Sequence, residues 1–329
     1  MGMVSRNAVV ISLVTLSLVL SGCITVNLFQ PDKGWVEKPM TPSEAHDKIL
    51  FLSLDGFIGD QEKKGGTPFI GGRKDQVHTM RKELEKAGKD KEIKAIVILI
   101  DSPGGAVTAS DRLYHQIRQF REEHKIPVIA YFGDLGASGA YYAAMGATEV
   151  WAHPTSVLGS IGVLIANVGA RGLMKKIGIT DRTVSSGAEK EMGSPLKEMT
   201  PEDRKIFQGL IGDFFQKFLG VVKENRKIPE KRLEELADGR VFSAEQALRD
   251  HLVDRIGYRD DLIKHLKRIL NLPDVALVRY KRSGGGAPSL FGMSNSGLDS
   301  VSLQSLETLL NSRGPTPLYL WEPGGLNIK

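Results

Sequence analysis

Apolar and polar positions fall in blocks along this chain, and the blocks predict strands and helices in turn. Residues 48–58 read as a first strand. Residues 95–100 form an unbroken run rich in Ile and Val, which suits a strand buried on both faces. Residues 128–132 form another. Between these runs the spacing turns helical over 77–87, and again after Gly105, where Leu113, Ile117 and Phe120 share one face. Residues 59–73 are glycine-rich and read as a loop, and 133–137 read as a turn into a helix beginning near Ser138. Strands alternating with helices imply right-handed crossovers and a largely parallel sheet. Further on, Thr200-Pro201 is a helix start, a hydroxyl cap followed by proline in the first turn. Ile206, Leu210, Phe214, Phe218 and Val222 then mark one long apolar face, and Ser243 with Gln246 has the pattern of a capping box.

The N-terminus follows a different pattern. Arg6 precedes an apolar run over 8–20, broken only by Ser12, Thr15 and Ser17. A membrane-spanning helix needs about 20 apolar residues, so this shorter run reads as a cleaved secretory signal. Leu20-Ser21-Gly22-Cys23 follows it and resembles the bacterial lipobox, in which the cysteine receives diacylglycerol and becomes the new N-terminus. The alternative is an ordinary signal peptide or an uncleaved anchor. Ile24, rather than aspartate, follows the cysteine, which favours the outer membrane in an organism with two membranes; inner and outer membrane both stay open. The expected organisation is a signal over 1–22, a lipid-anchored tether over 23–47 with Pro31, Pro39 and Pro42, a catalytic domain over 48–282, and a flexible Gly-, Ser- and Pro-rich tail over 283–329 with a short helix near 303–310.

Composition narrows the function classes. The single cysteine excludes an intrachain disulfide and a thiolate metal cluster. Hydrophobic residues make up 41% and charged residues 25%, the balance of an ordinary globular protein. The net charge of +5 has both signs interleaved, and without an aromatic-basic pattern it gives no support for nucleic-acid binding.

Two glycine-rich turns follow two buried strands: Asp101-Ser102-Pro103-Gly104-Gly105 and Gly136-Ala137-Ser138-Gly139. Ligands of open α/β sheets gather at the carboxyl ends of strands. Glycine lets a backbone N–H approach a substrate closely, and a helix start adds unpaired N–H groups. Such turns can build an oxyanion hole beside a serine, bind phosphate, or serve structure alone, and local pattern leaves all three open. Phosphate is disfavoured by the lack of a G-x-x-x-x-G-K-[ST] or G-x-G-x-x-G spacing. A nucleophilic serine needs a base, and none of the seven histidines has a flanking motif. Lysine can serve if burial lowers its pKa from about 10.4 toward 7–8. Lys190 stands out by its setting, between Ser185-Ser186-Gly187-Ala188 and Gly193-Ser194-Pro195.

From about residue 49 to 258 the chain resembles the signal peptide peptidase A family of serine–lysine peptidases. The resemblance rests on Asp101–Gly105, Ala137-Ser138-Gly139-Ala140-Tyr141-Tyr142, Leu158-Gly159-Ser160-Ile161-Gly162-Val163, Ser186-Gly187-Ala188-Glu189-Lys190 and Ala237-Asp238-Gly239-Arg240-Val241-Phe242. Each motif alone is weak; all of them in family order are specific. The resemblance implies a Clp/crotonase-like α/β fold, a parallel sheet wrapped by helices in one catalytic domain. It implies Ser138 as nucleophile, Lys190 as general base, the N–H groups of Gly105 and Gly139 as oxyanion hole, and Ser160 as the residue orienting the lysine. It implies no metal or other cofactor, apolar peptides such as signal peptide remnants as substrates, and a homo-oligomeric ring in which Ser138 and Lys190 meet within one chain or across two. Ala106 and Ala140 stand where the family often has glycine, which bears on pocket shape and removes no reacting group. Together with Cys23 this describes an exported, membrane-anchored serine endopeptidase. A non-catalytic lipid-anchored scaffold or chaperone needs none of these residues, and a crotonase-type thioester enzyme fits neither the Ser/Lys pair nor the export signal.

Overall fold

A computed structural model describes residues 34–59, 75–282 and 317–321. The chain divides into two compact units, residues 1–36 with 282–292, and residues 37–281 with 293–329. Only residues 34–36 and 282 of the first unit are described; the candidate site belongs to the second. The signal, Cys23, most of the 59–73 loop and the short helix near 303–310 lie outside the described residues.

The strands are β1 (Trp35–Pro39), β2 (Lys48–Asp55), β3 (Ile93–Ser102), β4 (Gly104–Ala106), β5 (Val128–Ala137), β6 (Glu149–Ala152), β7 (Val157–Gly159), β8 (Leu164–Ile165), β9 (Val241–Ser243), β10 (Arg255–Ile256), β11 (Ala276–Arg282) and β12 (Pro317–Leu320). The helices are α1 (Gln76–Ala87), α2 (Val107–His124), α3 (Gly139–Ala144), α4 (Arg171–Lys176), α5 (Pro201–Asn225), α6 (Glu230–Leu236), α7 (Ala244–Arg249) and α8 (Arg259–Ile269). Strands β11, β2, β3, β5, β6 and β10 lie side by side in that order, and every pair is parallel. This is the α/β architecture expected, with one catalytic domain.

The apolar runs become the central strands because both of their faces are covered. Ala95 and Val97 on β3 point with Ile49, Phe51 and Ile129 into a core closed by Leu262 and Leu266 of α8. Ile96 and Ile98, one position out of step, point to the opposite face and are fully buried there. Helix α1 packs on β2, and α3 packs on β3 and β5. Helix α5 starts where expected. Thr200 accepts from the Asp203 N–H and Asp203 accepts from the Thr200 N–H, a reciprocal cap. Its apolar face differs from the expected one: Leu210 is 40% exposed, while Phe207, Phe218, Val221 and Val222 are buried.

Three further segments depart from expectation. Residues 133–137 continue strand β5 instead of turning. The strand changes partner part-way, pairing with β6 over Ile129–Phe132 and with β7 over Leu135–Ala137. The segment 23–47, expected as a tether, is folded from Trp35 onward, and the Met40 N–H donates to Leu277 O at 2.8 Å. The tail over 283–329, expected to be flexible, contains β12, whose Leu318, Tyr319 and Leu320 are buried.

Candidate active site

The ends of β3 and β5 bring the two glycine turns together. At the first, Ser102 is fully buried; its Oγ donates to Gly56 O at 2.6 Å and accepts from the Gly104 N–H at 3.1 Å. Gly104 has φ +99°, a conformation that side chains rarely allow. The next residue pairs with the segment after β2: Ile58 N–H donates to Gly104 O at 2.8 Å, and Ala106 N–H donates to Ile58 O at 2.9 Å. A Cβ on Gly105 would overlap the Ile58 backbone, so only glycine fits. With its neighbours bonded to Ile58, Gly105 turns its own N–H to the opposite side. Asp101 joins the two turns by accepting from the Leu135 N–H at 3.1 Å. Partial burial, with Asp134 nearby, raises the Asp101 pKa above the usual carboxylate value.

Ser138 sits between β5 and α3 with φ 53° and ψ −117°. Positive φ in a residue with a side chain costs about 1–3 kcal/mol and persists only where the surroundings enforce it. Here the Ser138 N–H donates to Gly159 O at 2.7 Å and its carbonyl accepts from the Tyr142 N–H at 2.9 Å. Helix α3 is buried along its whole length and is anchored by Tyr141 OH to Leu252 O (2.7 Å) and Tyr142 OH to Asp111 Oδ1 (2.6 Å). Ser138 is 1% exposed, and its Oγ is buried without a hydrogen-bond partner among the described residues. Gly139 follows. A Cβ there would lie 3.1 Å from the Gly105 amide nitrogen and would collide with Ser110 Oγ, so the two glycine amides converge on one small space.

Ser160 comes next to this group because Gly159 pairs with Ala137, so the two serines follow adjacent strand ends. It too has a positive φ, 49°, and its N–H donates to Arg240 O at 2.8 Å. Ser160 lines a cavity of about 570 Å³ together with Gly162, Leu164, Asp238 and Gly239. Two Arg240 Nε contacts at 2.8 Å hold the Asp238 carboxylate and bring its pKa down to about 2.

Lys190 stands apart from these residues. It lies on a 3-10 turn, Ala188–Glu191, and is exposed. Ser138 Oγ has no hydrogen-bond partner among the described residues, so Lys190 is not hydrogen-bonded to it within one chain. The segment that carries Lys190 also exposes apolar Val168, Leu173, Ile177, Ile179 and Val184. Of the residues expected at the site, Ser138, Gly105, Gly139 and Ser160 come together, Lys190 does not, and Cys23 lies outside the described residues. Ala140 is fully buried within α3, and Ala106 pairs with Leu318 of β12. Sequence reasoning missed Ser102 and Ser110 as supports of the glycine turns. Ser102 sits inside a quoted motif, but its bonds to Gly56 and Gly104 depend on pairing that no local pattern reveals.

Residues 120–272 match peptidase family S49. An Enterococcus faecium protein that carries the name signal peptide peptidase SppA is 31% identical over 309 residues, 91% of this chain and 88% of that protein. The chloroplastic serine protease SPPA of Arabidopsis thaliana is 30% identical over 82% of this chain and 40% of its own length. Protease 4 of Salmonella typhi is 28% identical over 73% of this chain and 38% of its own length. An α/β domain with a positive-φ serine at the end of a central strand, close to two convergent backbone amides, has the layout of a serine hydrolase. The chain belongs to the signal peptide peptidase A family of serine peptidases, peptidase family S49.

Ser102→Ala removes an acceptor and a donor from a buried turn and leaves the Gly104 N–H and the Gly56 carbonyl unpaired. We expect a loss of about 2 kcal/mol in urea unfolding; an unchanged midpoint would contradict this account of the turn.

Proposed function

We propose that this peptidase works through Ser138 as nucleophile and Lys190 as general base, with Gly105 and Gly139 as oxyanion donors. The observation that carries the reading is the Ser138 turn: a buried, positive-φ serine with an unpartnered Oγ, beside two converging amides. Ser138 Oγ adds to the scissile carbonyl carbon while Lys190 Nζ takes its proton. The oxyanion forms between the two N–H groups, each worth about 3–4 kcal/mol in such a site. Protonated Lys190 then gives its proton to the leaving amine, and water hydrolyses the acyl-enzyme by the reverse route.

In this reading the base comes from a neighbouring copy. Support comes from the exposure of Lys190, the apolar residues exposed on its segment, and the cavity that Ser160 lines. A contact in which each copy lends its lysine to the next is head-to-tail, and such contacts close into rings. Ser160 orients the incoming lysine. We further place the domain outside the cytoplasm, held to the membrane by acyl chains on Cys23, with apolar peptides such as signal peptide remnants as substrates. Among the described residues no helix is long and apolar enough to cross a membrane.

Ser138→Ala and Lys190→Ala should each lower peptidase activity by about 10³-fold or more. Dissociated and reassembled as an equal mixture, the two should regain about a quarter of wild-type activity, since about one junction in four then joins an intact serine to an intact lysine. A mixture that assembles and stays inactive places the base in the same chain as the serine. For the anchor, Cys23→Ala should move the protein from the membrane pellet to the soluble fraction; retention at the wild-type level would exclude a lipid on that residue.

A further inference from the structure

The turn before β9 sets an ion pair against Ser160. The Ser160 N–H donates to Arg240 O at 2.8 Å, and the Gly239 N–H donates to Ile161 O at 3.1 Å. Just beyond these bonds Gly159 pairs with Val241, as β7 runs antiparallel to β9. The backbone of residues 238–240 is therefore fixed to that of residues 160–161. Gly239 has φ +88°, the left-handed region that glycine allows, and the side chains on either side of it meet. Arg240 Nε lies 2.8 Å from both carboxylate oxygens of Asp238, and Arg240 Nη2 also contacts Oδ2.

The pair stands where the base has to work. Asp238 and Gly239 line the cavity of about 570 Å³ that Ser160 lines. Leu164, Ile211 and Phe215 are among its apolar walls, and Asp238 is the one titratable side chain among the described residues that line it. The other charge close to Arg240 is Arg232 of α6, which is itself bonded to Asp250 Oδ1 at 2.7 Å and to Glu235 Oε2 at 2.9 Å. On the segment that carries Lys190, Glu189 shares a hydrogen bond with Asp203, and Glu191 pairs with Lys197.

Asp238 and Arg240 are about half exposed, and such a pair adds little to stability. Its position has a consequence for proton transfer. A lysine that comes to Ser160 must lose its proton there. A bare carboxylate nearby would favour the charged lysine and hold that proton. Bound by Arg240, the carboxylate presents little net charge. A guanidinium alone would push the other way.

We propose that Arg240 acts on the base through Asp238: it cancels the carboxylate beside Ser160, so that the base arriving there sheds its proton at a lower pH than it otherwise would. Arg240 is thus a positioning residue that touches neither substrate nor reacting atoms. The inference deepens the proposed Ser138–Lys190 chemistry and rests on it. Asp238 is ionised above about pH 4 with or without its partner, so the effect depends on pairing and not on titration of Asp238.

The test is kcat/KM against pH for the full-length protein on an apolar peptide, where the acid limb reports the base of the free enzyme. Arg240→Gln leaves Asp238 ionised and unpaired, and the limb should move up by about one pH unit. Asp238→Asn leaves the guanidinium alone, and the limb should move down by about as much. Asp238→Asn/Arg240→Gln should bring it back to the wild-type position, and Arg240→Lys, which keeps the charge, should hold it there. Opposite shifts that cancel in the double variant are not expected of a pair that only braces the turn. A limb unmoved in both single variants, or moved in the same direction by both, overturns the inference. Single variants that fail to fold show the pair to be structural and overturn it as well. Opposite shifts in these variants, together with full activity in Lys190→Ala, uphold the charge pair and instead refute Lys190 as the base it acts on.

Discussion

Ser138 is held at positive φ by the packing of three backbone segments against one another, and the rest of the site is arranged around that constraint. The end of β5, the start of β4 and the Ile58 segment approach so closely that a methyl group on Gly104, Gly105 or Gly139 would meet backbone or buried side chain. The Ser138 N–H is committed to Gly159 O, which links the serine to β7 and through it to Ser160. Buried tyrosines on α3 prevent the turn from relaxing. The cost of the strained residue, about 1–3 kcal/mol, is small against the burial of the α3 tyrosines and the surrounding sheet, each large side chain contributing about 1.5–3 kcal/mol.

In the proposed reading Lys190 must lose its proton to act, which needs a site closed from water, and in the single chain Lys190 is exposed. Its segment instead exposes apolar Val168, Leu173, Ile177, Ile179 and Val184, and Ser138 Oγ has no hydrogen-bond partner among the described residues. Assembly would solve both problems at once, by covering the apolar residues and by burying the lysine.

Much of the fold was legible because its signals are local. The Ile- and Val-rich run before Asp101 had to be a strand buried on both faces, and Thr200-Pro201 carries its cap within four residues. The two glycine-rich turns at the strand ends were legible for the same reason, while the roles of Ser138 and Lys190 came only from the family resemblance. What escaped depends on distant partners. Residues 133–137 carry two glycines and look like a turn, yet the strand continues there because β7 takes over pairing from β6. Pro317–Leu320 is short and follows a Gly- and Pro-rich stretch, and only its pairing to β4 and β8, far away in sequence, makes it a strand. Leu210 fits the helical period of α5 but projects to the surface, because periodicity gives a face and does not say whether another element covers it.

The central claim is that Ser138 forms the acyl-enzyme, and covalent labelling reads it directly. The full-length protein is treated with a fluorophosphonate, digested and mapped by mass spectrometry. The account predicts one adduct, on Ser138, formed more slowly in Lys190→Ala and absent in Ser138→Ala. An adduct on Ser160 or another serine, or an unlabelled Ser138 in protein whose peptidase activity has been abolished by the reagent, would contradict it.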